Sequence, residues 1–248
     1  KERYDFDKMI YVVGAEQTLH FKQLFRTLKL MGHDWADDCS HVPFGLINFK
    51  GMKMSTRKGN VIFLEDVLDR AIEITRDIIT KKNPDLANKD EVAEDIGIGA
   101  IIYADLDSRR TRDVVFDWEE ILNFTGETGP YVQYTHARYC SVLRKFGEMV
   151  PPPDVDLTLL SEPGAVAVIK CIEEFPNRIK QAAENDEPSL IASFLIELCT
   201  AANRFYNQHR VVSEDEALTK SRVTLVYAIK TVLRNGLALL GMKAPEEM

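Results

Sequence analysis

Three cations, two small hydroxyl residues and two glycines fall within the ten positions Gly51-Met52-Lys53-Met54-Ser55-Thr56-Arg57-Lys58-Gly59-Asn60. A loop of this kind can close on a polyphosphate. Its glycines let the backbone approach an anion. Lys53, Arg57 and Lys58 can neutralise the charge that builds as a phosphate leaves, and Ser55 and Thr56 can donate hydroxyl hydrogen bonds to it. The competing reading is a solvated basic loop, because short motifs of this composition recur by chance.

Three further groups could bind rather than react. Tyr131, Tyr134 and Tyr139 interleave with His136, Arg138, Arg144 and Lys145. Aromatic faces stack on unpaired bases at about 1–3 kcal/mol each, and cations hold phosphates. Equally, Val132, Thr135, Tyr139 and Leu143 could be core while the cations face water. Arg109, Arg110 and Arg112 form a compact basic turn, read either as phosphate contacts with RNA or as a solvated turn bridged to Asp105 and Asp113. Asn207, Gln208 and Arg210 close an apolar helix, as caps or as readers of base edges.

The elements that must position these groups are legible from periodicity. Met9 to Val13 is a short apolar run ended by Gly14, which predicts a fully buried strand. Leu19, Leu24, Leu28 and Met31 recur at helical spacing up to Gly32. His41 to Ile47 predicts a second strand, so strand, helix and strand make a parallel unit with a right-handed crossover. Such sheets bind ligands at their carboxyl ends, here Gly14-Ala15-Glu16-Gln17 with His20 one helical turn on. Leu64 to Ile79 carries an amphipathic stripe stopped by Asn83-Pro84. Asp90 to Asp107 predicts another helix, with Gly97 and Gly99 allowing close packing. The cluster Thr125 to Pro130 marks a boundary, with Pro130 suited to a first helical turn. Three more apolar stripes follow, at 165–183, with Pro176 expected to kink or break it, at 188–205, and at 214–240. Short connections between them predict an antiparallel bundle.

The 248 residues suffice for one large or two small domains. Hydrophobic content of 45% and charged content of 28% are those of a globular protein. No run approaches the ~20 apolar residues of a membrane span, and no signal peptide is visible at Lys1. A net charge of -8 argues against a generically basic nucleic-acid binder, so any RNA contact must use local patches. Cys39, Cys140, Cys171 and Cys199 are scattered, which predicts reduced thiols in a cytoplasmic setting and no protein metal site.

Several of these stretches together resemble arginyl-tRNA synthetases, of class I. Lys53 to Asn60 resembles their signature loop, whose pattern is K-M-S-K. Thr56 stands where the second lysine would be, and whether Arg57 or Lys58 substitutes is open. Gly14 to Phe21 resembles the second half of the nucleotide-binding fold, and Gly129 to Arg138 the opening of the helical anticodon-binding domain. The resemblance implies Lys53, Ser55, Arg57 and Lys58 as catalytic residues. It implies Gly14, Glu16, Gln17, His20, His41, Val42, Phe44 and Met54 as the ATP-binding set. It implies tRNA contacts at Arg109, Arg112, Tyr131, Tyr134, Arg138, Asn207, Gln208 and Arg210. The H-I-G-H motif of the family's first half is missing, so the chain resembles a C-terminal portion, and isolated it is expected not to form aminoacyl-adenylate.

The expected fold is therefore mainly α with a small parallel α/β part. A remnant of a Rossmann-like catalytic fold (residues 1–64) is followed by a connecting, stem-contacting segment (65–125) and a helical anticodon-binding bundle (126–248). The expected activity of the whole is ligation of arginine to its tRNA. ATP enters with Mg2+ as substrate. The partners are the tRNA for arginine, ATP and L-arginine, whose pocket lies largely outside this stretch. A monomer away from membranes is expected. The rival readings are a non-catalytic RNA-binding helical module and a related nucleotidyltransferase that uses no tRNA.

Overall fold

The computed structural model describes residues 1–49, 62–147, 150–152 and 154–248. Lys53, Met54, Ser55, Arg57 and Lys58 lie outside the described residues. The chain is mostly helical with a small parallel α/β part, and it divides into two compact units.

The first unit contains residues 1–49 and Ser108–Phe116. Strand β1 (Met9–Gly14) leads through a single 3-10 turn into helix α1 (Thr18–Leu30), and β2 (Cys39–Phe44) returns parallel to β1. The register pairs Tyr11 with His41 and Gly14 with Phe44, so both strands finish side by side. Helix α1 lies on the sheet through Phe21, Leu24, Phe25 and Leu28. Tyr11 packs against the rings of Phe21 and Phe25 at 5.2 and 5.6 Å. Leu19 and Met31, expected on the apolar stripe, are exposed instead.

Two expectations are corrected here. Strand β1 is not fully buried: its residues alternate, with Ile10 44% and Val12 65% exposed. A two-stranded sheet covered by one helix shields only every second side chain. The run from His41 to Ile47 is also not one strand. It breaks at Gly45-Leu46 and resumes as β3 (Ile47–Phe49), which pairs in parallel with β4 (Val114–Phe116). The break has a local cause. Gly45 N–H donates to Arg110 O and Leu46 N–H to Asp113 Oδ1, both at 2.7 Å. The incoming backbone leaves no room for a side chain, since a Cβ on Gly45 would lie 2.5 Å from Arg112 O.

The second unit holds α2 (Leu64–Lys82), α3 (Lys89–Leu106), α4 (Trp118–Ile121), α5 (Gly129–Phe146), α6 (Pro163–Asn185), α7 (Ser189–Gln208) and α8 (Glu216–Leu239). The stripe of α2 buries Val67, Ala71, Thr75 and Ile79, and the helix stops at Asn83 as predicted. Gly97 sits where α3 meets α2: a Cβ there would lie 2.9 Å from the Cα and N of Ile72. Helix α5 begins with Thr128 accepting from Tyr131 N–H and Pro130 in its first turn, and ends at Gly147 with φ +74°. Helices α5 to α8 share a core that includes Tyr139, Phe194, Leu198, Phe205, Ile229 and Leu233. Helix α6 runs unbroken through Pro176, contrary to a break there. The lost amide is offset by packing next door, where Phe175 stacks on Phe194 of α7 at 5.1 Å.

All four cysteines are unpaired, and burial pushes the Cys199 thiol up to about 12. Among the described residues no helix is long and apolar enough to cross a membrane.

Candidate nucleotide and nucleic-acid sites

In the first unit the carboxyl ends of β1 and β2 gather part of the expected nucleotide set. Gly14 and Phe44 are register partners. The Glu16 carboxylate folds over Gly14, and a Cβ there would come within 2.8 Å of Glu16 Oε2. The 3-10 turn carrying Glu16 and Gln17 is tied to α1 by Thr18 Oγ1 donating to Ala15 O at 2.6 Å. Glu16, Gln17 and His20 are exposed. His41 is held differently: its ring stacks on Phe21 at 4.5 Å, and Nε2 lies 2.9 Å from Val13 O. Val42 is buried and, as the next residue of the strand, points to the opposite face from His41. The strand ends thus join Gly14, Glu16 and Phe44, while His41 and Val42 face opposite sides of β2.

The basic turn docks by its backbone. Arg112 N–H closes it on Arg109 O at 2.8 Å, and Asp113 spends a carboxylate oxygen on Leu46 N–H. The side chains of Arg109 and Arg112 remain exposed.

In the second unit α5 resolves the two readings of its aromatic and cationic residues. Tyr139 and His136 are fully buried and belong to the core. Tyr134, 40% exposed, and Arg138 instead line two adjoining clefts of about 480 and 460 Å³. The first is walled by Ile78, Ile79, Phe124 and Met248, with Lys82 and Asn83 at its polar side. The second adds Arg144, Lys145 and Tyr206. The Lys82 ammonium lies 5.0 Å from the Phe124 ring centre, and the Arg138 guanidinium 4.9 Å from that of Tyr134. Aromatic faces and two cations in one concavity suit an unpaired base carrying a phosphate.

The C-terminal run is fastened along this helix. Gln133 Nε2 donates to Lys243 O at 2.9 Å, His136 Nδ1 meets Pro245 O at 2.9 Å, and Arg144 Nη1 donates to Glu246 O at 3.0 Å. Asn83 Nδ2 donates to Met248 O at 3.1 Å. Sequence reasoning missed Lys82, Phe124, Tyr206 and Met248 as cleft residues. They are far apart in the chain, and no periodicity links them.

Asn207, Gln208 and Arg210 are exposed at the end of α7. The backbone there is pinned by Arg222 of α8, whose Nη1 donates to Arg210 O at 2.7 Å while Nη2 donates to the Glu162 carboxylate. Burial pushes the Glu162 carboxyl up, but the hydrogen bond and charge of Arg222 outweigh it and leave it below the ordinary range.

A family model described as "tRNA synthetases class I (R), catalytic domain" matches residues 1–118, and one described as "DALR anticodon binding domain" matches 132–248. The chain is 50% identical over 248 residues to an arginine–tRNA ligase of Halothermothrix orenii, and 48% identical to that of Clostridioides difficile. Each alignment covers all of this chain and 44% of the relative, so the chain spans less than half their length. The solved arginyl-tRNA synthetase of Thermus thermophilus superposes with a TM-score of 0.89 at 32% identity, covering 98% of this chain and 41% of that one. Matched at both ends by these models and aligned along its full length with arginine–tRNA ligases, the chain belongs to the arginyl-tRNA synthetase family.

Proposed function

We propose that this chain is the part of an arginine–tRNA ligase that handles the pyrophosphate end of ATP and grips the tRNA for arginine. In this reading residues 1–64 are the second half of a Rossmann-like catalytic fold, 65–125 connect and follow the tRNA stem, and 126–248 are an antiparallel anticodon-binding bundle. In the whole enzyme, ATP arrives as its magnesium complex, a substrate. Arginine is joined to its adenylyl part, pyrophosphate leaves, and the arginyl group then passes to the end of the tRNA. Lys53, Ser55, Arg57 and Lys58 hold the departing pyrophosphate and offset its growing charge. The strand-end group around Gly14, Glu16 and Phe44, with Gln17, His20, His41, Val42 and Met54, flanks the nucleoside. Arg109, Arg112, Tyr131, Tyr134, Arg138, Asn207, Gln208 and Arg210 meet the tRNA. The arginine pocket lies mostly outside this stretch, and the enzyme works as a cytoplasmic monomer.

The observation that carries this reading is the cleft beside Tyr134 and Arg138, within or beside the segment that the anticodon-binding model matches. The test is a titration of the chain with arginine tRNA at one fixed salt concentration, since phosphate-driven affinities have no meaning without it. Tyr134→Ala is expected to weaken binding on the order of tenfold through lost stacking, and Arg210→Ala to weaken it without unfolding the chain. Unchanged affinity in both variants, or no tRNA binding at all, removes the reading. Robust arginine-dependent ATP–pyrophosphate exchange by the isolated chain would contradict its fragmentary catalytic role.

A further inference from the structure

Asn203, on α7, is absent from every group that sequence reasoning marked for binding, yet its amide meets α5 at three points of one face. Its Oδ1 accepts from Arg138 Nη1 at 2.7 Å. Its Nδ2 donates to the Tyr131 hydroxyl at 2.9 Å and toward Thr135 Oγ1 at 3.4 Å. Thr135 in turn donates to Tyr131 O at 2.9 Å, which leaves its oxygen free to accept. The acceptor and both donors of the amide are thereby directed at residues i, i+4 and i+7 of one helix.

The consequence for Arg138 is specific. Its guanidinium rests over the Tyr134 ring at 4.9 Å and lies 5.9 Å from the Tyr206 ring centre. One of its nitrogens is fixed by a neutral oxygen. An aspartate at 203 would fix the same nitrogen but cancel the charge. An asparagine orients the fork and leaves the charge available to a phosphate. Arg138 and Tyr134 border both clefts, so a guanidinium swung out of this position would alter both walls.

We infer that Asn203 is a positioning residue for tRNA: braced on the Tyr131 hydroxyl and Thr135, it aims the Arg138 guanidinium at the clefts without neutralising the charge that receives the RNA backbone. This rests on the tRNA reading given above. The test is a double-mutant cycle in the full-length enzyme, with arginine tRNA as the probe at fixed salt. Asn203→Leu, close to isosteric, is expected to raise Kd for tRNA on the order of tenfold. It should raise the KM for tRNA in parallel and leave the KM for ATP unchanged, whereas general destabilisation lowers the active fraction and moves neither constant. Arg138→Ala alone should weaken binding at least as much. Adding Asn203→Leu to it should then cost less than twofold more.

Two results overturn the assignment while leaving the tRNA reading intact. Either Arg138→Ala weakens binding and Asn203→Leu does not, or the two losses multiply in full. A third result, wild-type affinity in Arg138→Ala, overturns the cleft's role in tRNA binding and the assignment with it. Should Asn203→Leu fail to fold, Asn203→Ser, which fits within the native volume, carries the same cycle.

Discussion

Lowering the pH should loosen the helical unit through one residue, His136. Its ring is fully buried on α5. Nδ1 sits 2.9 Å from Pro245 O, and both ring nitrogens are 3.7–3.8 Å from Cys140 Sγ. Burial holds its pKa below the ordinary 6.5, and the hydrogen bond to Pro245 only partly opposes this. The sign follows from proton counting. Below 6.5 the unfolded chain takes up a proton that the folded chain refuses, so stability is complete above 6.5 and falls with pH below it, until the folded group also titrates. At pH 5.5 the upper bound of this loss is about 1.4 kcal/mol. In a chain of this size that corresponds to roughly 3–6 °C of melting temperature. The assay is helical circular dichroism against temperature at pH 7.5 and 5.5, for the native chain and His136→Asn. The asparagine keeps an amide donor near the Nδ1 position for Pro245 O and removes the titration. The variant should melt lower at both pH values but lose less between them than the native chain does. An equal pH-dependent loss in the two proteins would refute the assignment to His136. The ordinary carboxylates titrate too low to imitate the effect in this window.

Three substitutions test the packing of the second unit. Gly97→Ala places a methyl 2.9 Å from the backbone of Ile72, which cannot swing aside as a side chain could. Overpacking of about 1–3 kcal/mol should outweigh a helix-propensity gain of about 1 kcal/mol. The urea midpoint should therefore fall, and a rise would show that α2 and α3 part easily. Arg222→Met deprives both Arg210 O and the Glu162 carboxylate of their donor. The expected destabilisation is about 2–4 kcal/mol by urea unfolding, with Glu162→Gln milder, and equal losses would mean the carboxylate does not stay charged.

The helices were legible because each carries a long apolar stripe. The limits of α2 and α3, the proline start of α5 and the glycine stop after α8 all follow from local rules that tertiary contacts had no cause to override. The strands were less legible. Whether Ile10 and Val12 are covered depends on what lies across the sheet, and a five-residue apolar run holds no record of that. The division of His41 to Ile47 depends on Asp113, 67 residues from the Leu46 amide it receives. The cleft was half legible: Tyr134 and Arg138 could be named, whereas Lys82, Phe124 and Met248 join them through tertiary packing, with α2 and α5 both lying on α3 and Phe124 and Met248 set against the α2–α3 core.

Helix α5 shows why composition alone left its aromatic residues undecided. At about 100° per residue, Tyr131, Tyr134 and Arg138 fall within about 60° of one another, while Val132, His136 and Tyr139 occupy a sector centred about 140° away from them. Both sectors mix aromatic and polar residues, so hydrophobicity does not tell them apart. What separates them is the neighbour each one meets. The second sector is enclosed by the core and by the C-terminal run that His136 and Gln133 fasten. In the first, Tyr131 and Arg138 meet Asn203 of α7, Arg138 also lies near Tyr206, and Tyr134 and Arg138 border the clefts. One helix thereby serves as the spine of the core and as the wall of both clefts. Substitutions only one residue apart, at Tyr139 and Arg138, should therefore divide between loss of fold and loss of ligand.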